Sequence, residues 1–139
     1  MAEIAQAFQW INTTLKADTA LTTAATGGVW QGFADLGTNT PYALYLQQAG
    51  TDVLTMNVKR LFVNLLVQVK AIGPSAQYAV LVVIADRIDA LLGRVGPLTL
   101  ASGGVLACYR EQTIAMSELI NGVAWSHLGG MYRIQLQGS

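Results

Sequence analysis

The chain has 139 residues, a size that suits one domain burying about 70% of the surface its unfolded form would expose. Eight basic and eight acidic residues cancel, with no basic block, which disfavours direct binding of duplex nucleic acid. Only 12% of residues are charged while 53% are hydrophobic, and the mean hydropathy of +0.41 exceeds what so small a domain hides alone, so the composition predicts burial against other subunits.

Glu3 stands where a secretion signal carries basic residues, so none is expected. No uncharged apolar run reaches the roughly 20 residues of a membrane span. A single cysteine, Cys108, excludes an internal disulfide and fits a reducing compartment.

Ile4, Phe8, Ile11 and Leu15 recur at helical spacing and predict a first helix over residues 3–17. Asp18 is placed to cap a short second helix over 19–25, which Gly27-Gly28 stops. Residues 29–33 suit a short strand, 34–40 a polar loop, and Pro41 the start of the next strand, where its missing donor does least harm. Tyr42, Leu44 and Leu46 alternate with Ala43, Tyr45 and Gln47, predicting a strand over 42–48. Gly50-Thr51-Asp52 reads as turn material inside a connection over 49–56, whose tip carries Leu54 and Met56.

The longest alternating stretch follows, over 57–72. Odd positions Leu61, Val63, Leu65, Val67, Val69 and Ala71 are apolar, and even ones mix Arg60, Phe62, Asn64, Leu66, Gln68 and Lys70. Such a strand outruns a compact core, so residues 42–71 are expected to form a long projecting hairpin. Gly73-Pro74-Ser75 then starts a helix, with Pro74 at the first helical position or Ser75 as cap. Tyr78, Leu81, Val82, Ala85, Ile88 and Leu92 are expected on its inner face, and Gly93 stops it. Residues 98–104 suit a weak sheet edge and 105–112 a strand. Asn121-Gly122 between the apolar runs 113–120 and 123–127 signals a tight hairpin. Gly129-Gly130 suggests a bulge or bend before a last strand, 131–137. The pattern predicts one α+β domain over 1–139: a mostly antiparallel sheet of about four to six strands packed on two main helices.

The chemical survey yields no recognisable active site. Asp86 and Asp89, three apart on a helix, could pair as metal ligands, but no histidine or further acid stands at ligand spacing, which favours a solvated helix face. His127 is the only histidine, and Ser126 beside it in a strand points to the opposite face, which favours a structural role over a Ser-His pair. Cys108 lies in an apolar strand and reads as a core thiol. The glycine pairs lack the order that cradles phosphate. Trp10, Trp30 and Trp125, without interleaved basic residues, read as core or interface anchors ahead of base-stacking platforms. No catalytic residue, cofactor or metal is expected.

The motifs taken in order resemble the tail-terminator, or tail-completion, proteins of long-tailed bacteriophages. The resemblance rests on Leu15-Lys16-Ala17-Asp18-Thr19-Ala20-Leu21, the step Gly27-Gly28-Val29-Trp30 and Thr40-Pro41-Tyr42-Ala43-Leu44. It continues through the long strand ending in Gly73, Ile84-Ala85-Asp86-Arg87-Ile88, and His127-Leu128-Gly129-Gly130-Met131-Tyr132-Arg133-Ile134. It spans nearly the whole chain, and none of its motifs is a catalytic signature. The uncharged, Gly-rich residues 98–104 and the hairpin region 113–125 depart from the more polar link expected between such strands.

The resemblance implies a non-enzymatic virion protein of the tail-neck region, assembled in the host cytoplasm. It would form a homo-oligomeric ring, a hexamer, on the end of the tail tube, ending tube polymerisation and offering a joint to the head-side connector or stopper. Its partners are then itself, the tube protein and the connector, with DNA passing through the ring and no membrane contact. Edge pairing and apolar contacts at Leu54, Met56, Arg60, Phe62, Asn64, Leu66, Gln68 and Lys70 are the expected subunit interface. The alternatives are another neck or tail-tube ring protein of the same particle, or a small α/β ligand-binding protein or enzyme using His127 and a tryptophan pocket.

Overall fold

A computed structural model describes residues 2–35, 37–54, 60–100 and 103–137. Helices α1 (Ala2–Ala17) and α2 (Thr19–Ala24) precede strands β1 (Val29–Gln31), β2 (Tyr42–Leu54) and β3 (Arg60–Pro74). A 3-10 turn, Ser75–Gln77, leads into helix α3 (Tyr78–Leu92). Strands β4 (Arg94–Val95), β5 (Leu98–Thr99), β6 (Gly104–Ile120) and β7 (Val123–Gln137) complete the chain. The seven strands form one sheet in the order β1-β2-β3-β7-β6-β4, with β5 also on β6. Among the described residues only the β1–β2 pair is parallel. The architecture is the expected α+β domain, with more strands than the four to six foreseen because two two-residue pieces, β4 and β5, add to β6.

The alternation of β3 sets the sheet's two sides. Its odd positions Val63, Leu65, Val67, Val69 and Ala71 are buried in the main core, opposite Leu128, Tyr132, Ile134 and Leu136 of β7. The helices supply the second layer: Ile11 and Leu15 of α1, Leu21 of α2, and Leu81, Ile84, Ile88 and Leu92 of α3 are fully buried. Burying one such side chain contributes about 1.5–3 kcal/mol, so this cluster is where the fold gains its stability.

Several expectations are corrected by pairing partners that local sequence does not reveal. Gly50-Thr51-Asp52 is strand, paired with Leu65, Asn64 and Val63, because a bulge between Gln47 and Ala49 lets β2 continue along β3 to Leu54. Long-range pairing there overrides turn propensity. No bulge occurs at Gly129-Gly130; β7 stays in continuous register there, and the irregularities fall on β6, between Val105 and Ala107 and between Arg110 and Gln112. Gly129 is required by close approach: a Cβ there would lie 2.2 Å from the Val69 carbonyl oxygen and 2.5 Å from Lys70 Cα. On α3 the buried stripe is Leu81, Ile84, Ile88 and Leu92, while Tyr78 and Val82 are exposed. Pro74 precedes the 3-10 turn with extended backbone, and Ser75 is its first residue, bonding Ser126 Oγ at 2.7 Å instead of capping.

The foreseen hairpin turn does form at Asn121-Gly122, with positive φ at both residues (51° and 79°). Asp18 caps α2 through its carboxylate, which accepts from Leu21 N at 3.1 Å. The same carboxylate takes a two-point bond from Arg87 of α3, at 2.9 and 2.8 Å. Arg87 first, and the Leu21 amide after it, hold Asp18 below its ordinary pKa of 3.8 against the opposing effect of desolvation. A depressed folded pKa means this stabilisation is complete above the unfolded carboxylate pKa and is lost as pH falls through the folded one. Asp18→Ala, which removes cap and ion pair together, should cost about 1–2 kcal/mol in urea unfolding at neutral pH. Asp18→Asn should cost less, and its deficit should vanish in acid.

Candidate assembly surfaces

The sequence-predicted chemical residues are dispersed and engaged structurally. Asp86 is exposed, whereas Asp89 meets the Tyr132 hydroxyl at 3.4 Å and Arg110 at 3.4 Å, so the two carboxylates do not converge. His127 is 9% exposed and its Nε2 lies 2.7 Å from Glu118 Oε1, while Ser126 points to the other side of the sheet toward Ser75. Cys108 is 1% exposed and its thiol donates to the Leu92 carbonyl at 3.2 Å. Trp30 donates to the Gly27 carbonyl at 2.7 Å, Trp10 packs against the core from α1, and Trp125 sits on β7, so the three line no shared pocket. Among the described residues no group of three or more His, Cys, Asp or Glu could hold a metal ion, and no helix is long and apolar enough to cross a membrane.

The sheet side away from the helices holds the even positions of β3. Phe62, Asn64, Leu66 and Gln68 are half-buried, and Gln68 donates to Gln48 at the β2 bulge. Lys70 is only 9% exposed and sits with Leu44, Ile72 and His127, so it belongs to the subunit's interior and departs from the exposed face expected for it. Burial pushes its pKa down, with Glu118 opposing. Leu54 is 53% exposed near the end of the β2–β3 hairpin. Met56 lies outside the described residues, and of Arg60 only its place at the start of β3 is described.

Sequence reasoning missed the two open edges of the sheet. On β2, β1 covers residues 43–45 only, leaving 46–54 without an outer strand among the described residues. On β6, β5 and β4 cover positions 104, 105, 108 and 109, and Arg110 N still reaches the Gly93 carbonyl, leaving 111–120 open. Monomeric proteins guard such edges with lysine, proline or brevity. This β6 edge is long, has no lysine, arginine or proline between positions 111 and 132, and exposes Met116, Leu119 and Ile120. The legible signal was the β-branched and apolar content of 113–125 with a single charge, Glu118.

A third surface lies on the helical side. An open groove of about 920 Å³ between α2 and the first turns of α3 is lined by Ala20, Thr23, Ala24, Ala79, Val80 and Val83. It carries no charged side chain. Val80 and Val83 are exposed there, so the outer face of α3 is as apolar as its inner face near the helix start.

No protein-family model matches the chain, and no curated protein matches it in sequence. A solved chain described as "Virion of native gene transfer agent (GTA) particle" superposes with a TM-score of 0.72 at 15% identity, covering 92% of this chain and 92% of that one. At that identity the likeness shows a shared fold over nearly the full length of both.

Burial pushes the Cys108 thiol up to about 12. Native protein at pH 8 should therefore leave a thiol reagent unreacted, and one equivalent should react once denaturant is added. Fast reaction of the native protein would contradict the buried placement.

Proposed function

We propose that this chain is a structural virion protein of a long-tailed phage or phage-like particle, closing into a homo-oligomeric ring on the end of the tail tube. The observation that carries this reading is the pair of open sheet edges, on opposite sides of one sheet. An edge is a row of unpaired N–H and C=O groups that a second strand completes. Two different edges on one molecule make a head-to-tail contact, and a head-to-tail contact that closes gives a ring. The superposition with a chain from a gene transfer agent virion supports the same reading, as does the order of motifs shared with tail terminators.

In this reading the ring is a hexamer and works by geometry, without catalysis. Once β2 and β6 edges are consumed between neighbours, no strand edge remains to template another layer, so tube growth stops at the ring. The Leu54 tip and the Phe62, Asn64, Leu66 and Gln68 side of β3 add apolar and amide contacts around the ring. The uncharged α2–α3 groove lies on the helical side of the sheet and is left for an unlike partner, the tube protein or the head-side connector. The protein takes its place in the tail-neck region after folding in the host cytoplasm.

Deleting the coding sequence in the parent particle should give overlong or headless tails in negative-stain micrographs, with tube and head proteins still made. Joined particles of normal tail length without this protein would refute the capping role. Antibody labelling along intact particles should mark the neck end; signal spread along the tube would assign the chain to the tube itself.

A further inference from the structure

The two open edges match in length and run in opposite directions. Along the sheet β2 is antiparallel to β3, β3 to β7, and β7 to β6, so β2 and β6 point oppositely within one subunit. A neighbour related by rotation therefore offers its β6 antiparallel to β2, the orientation that extends the existing ladder. Among the described residues, the stretch of β2 without an outer strand lies in the half of the sheet toward Leu54, and that of β6 in the half toward Asn121-Gly122. Pairing these two stretches then demands a stagger between neighbours, which is what strands tilted around a closed ring provide.

We infer that residues 47–54 of one copy pair antiparallel with residues 112–119 of the next, which seats the next copy's Leu119 against Phe33. Within the single subunit these are the two most exposed large apolar side chains among the described residues, at 83% for Phe33 and 74% for Leu119. Phe33 stands where β1 stops: Gln31 is the last β1 residue paired, with Tyr45, and Gly32 N bonds the Tyr45 carbonyl, so the chain leaves β2 there. In the stated register Leu119 faces Gln47, two residues further along the same edge. One register thus satisfies both backbone edges and covers both outlying side chains. The tip it brings in, residues 119–124, is uncharged, as is the Gln31-Gly32-Phe33-Ala34 segment that receives it. The second copy is the occupant these features select, since the edge pairing that positions Leu119 needs the β6 strand of this same chain.

The inference rests on the ring reading only for the existence of self-association, and a cysteine scan separates the two. Cys108 is buried, so introduced cysteines report alone. A mixture of Phe33→Cys and Leu119→Cys proteins should form covalent dimers on mild oxidation, and the double variant should form a ladder ending in a closed ring. Leu54→Cys mixed with Leu119→Cys should stay uncoupled, because the register places them about 25 Å apart, beyond the roughly 7 Å Cα separation a disulfide tolerates. Leu119→Asp should weaken self-association about tenfold or more without lowering Tm, since Leu119 is exposed in the lone subunit. The double variant Phe33→Ala with Leu119→Ala should associate no more weakly than the more damaging single, as expected for one shared contact. A Leu54–Leu119 link, a Leu119–Leu119 link, or no Phe33–Leu119 link at any concentration and in assembled particles would overturn the register. Ring particles lacking the Phe33–Leu119 link would sink this inference and spare the capping role; the link without a tail phenotype would do the reverse.

Discussion

The structure depends on β3 being paired along nearly its whole length on both sides, by β2 and by β7. A strand held in two ladders cannot slip by one residue without moving every odd side chain from the helix-covered core to the other side. That constraint fixes which residues of β2 and β7 face α3, and hence where α3 lies. It also makes the close contact at Gly129 obligatory, since the β7 backbone must pass against Val69 and Lys70 for the register to hold. The Asp18–Arg87 bond then ties the short α2 to α3, closing the helical layer over the same ladder.

What could be read from the sequence follows from which signals are local. The α1 stripe, the Asp18 cap, the odd positions of β3 from Val63 to Ala71 and the Asn121-Gly122 turn are each set by residues within a few positions of one another, and each forms as expected. The errors sit where a distant partner decides. Gly50-Thr51-Asp52 has the composition of a turn and becomes strand only because β3 lies alongside; the bulge at Gln48 that permits this leaves no local mark. On α3 the expected Leu81, Ala85, Ile88 and Leu92 do face the core, but Tyr78 and Val82 were placed there and Ile84 was left out, because the run Val80 to Ile84 is apolar all round and periodicity cannot say which side faces the sheet. That ambiguity is itself informative, since Val80 and Val83 line the outer groove.

The expected interface residues divide in the same way. Lys70 looked like a surface charge by alternation alone, yet it is buried, paired with buried Leu44 and next along the strand to the buried Ile72–His127 pair, on the side of the sheet that has no helix. Leu54 and the half-buried Phe62, Leu66 and Gln68 remain near the subunit's margin. The stronger assembly features, the two open edges, could not be seen from spacing because an edge is defined by what fails to pair with it.

The balance between folding and assembly can be located on β6. Val105 and Cys108 near its start are buried in the core and paired on both sides, whereas positions 112–120 pair, among the described residues, with β7 alone and carry exposed apolar groups. In the proposed ring one strand would serve two interiors in sequence along its length, first that of the subunit and then that of a contact between subunits. A lone hairpin of this kind gains little from its own cross-strand pairs, each contributing on the order of 0.2–1 kcal/mol. Its full order as a strand out to Ile120 becomes worthwhile when the outer edge is occupied. The high apolar content seen at the outset is then accounted for by position: the helices cover what the fold requires, and the surplus lies on the β6 edge, at Phe33 and in the α2–α3 groove, where another chain can cover it.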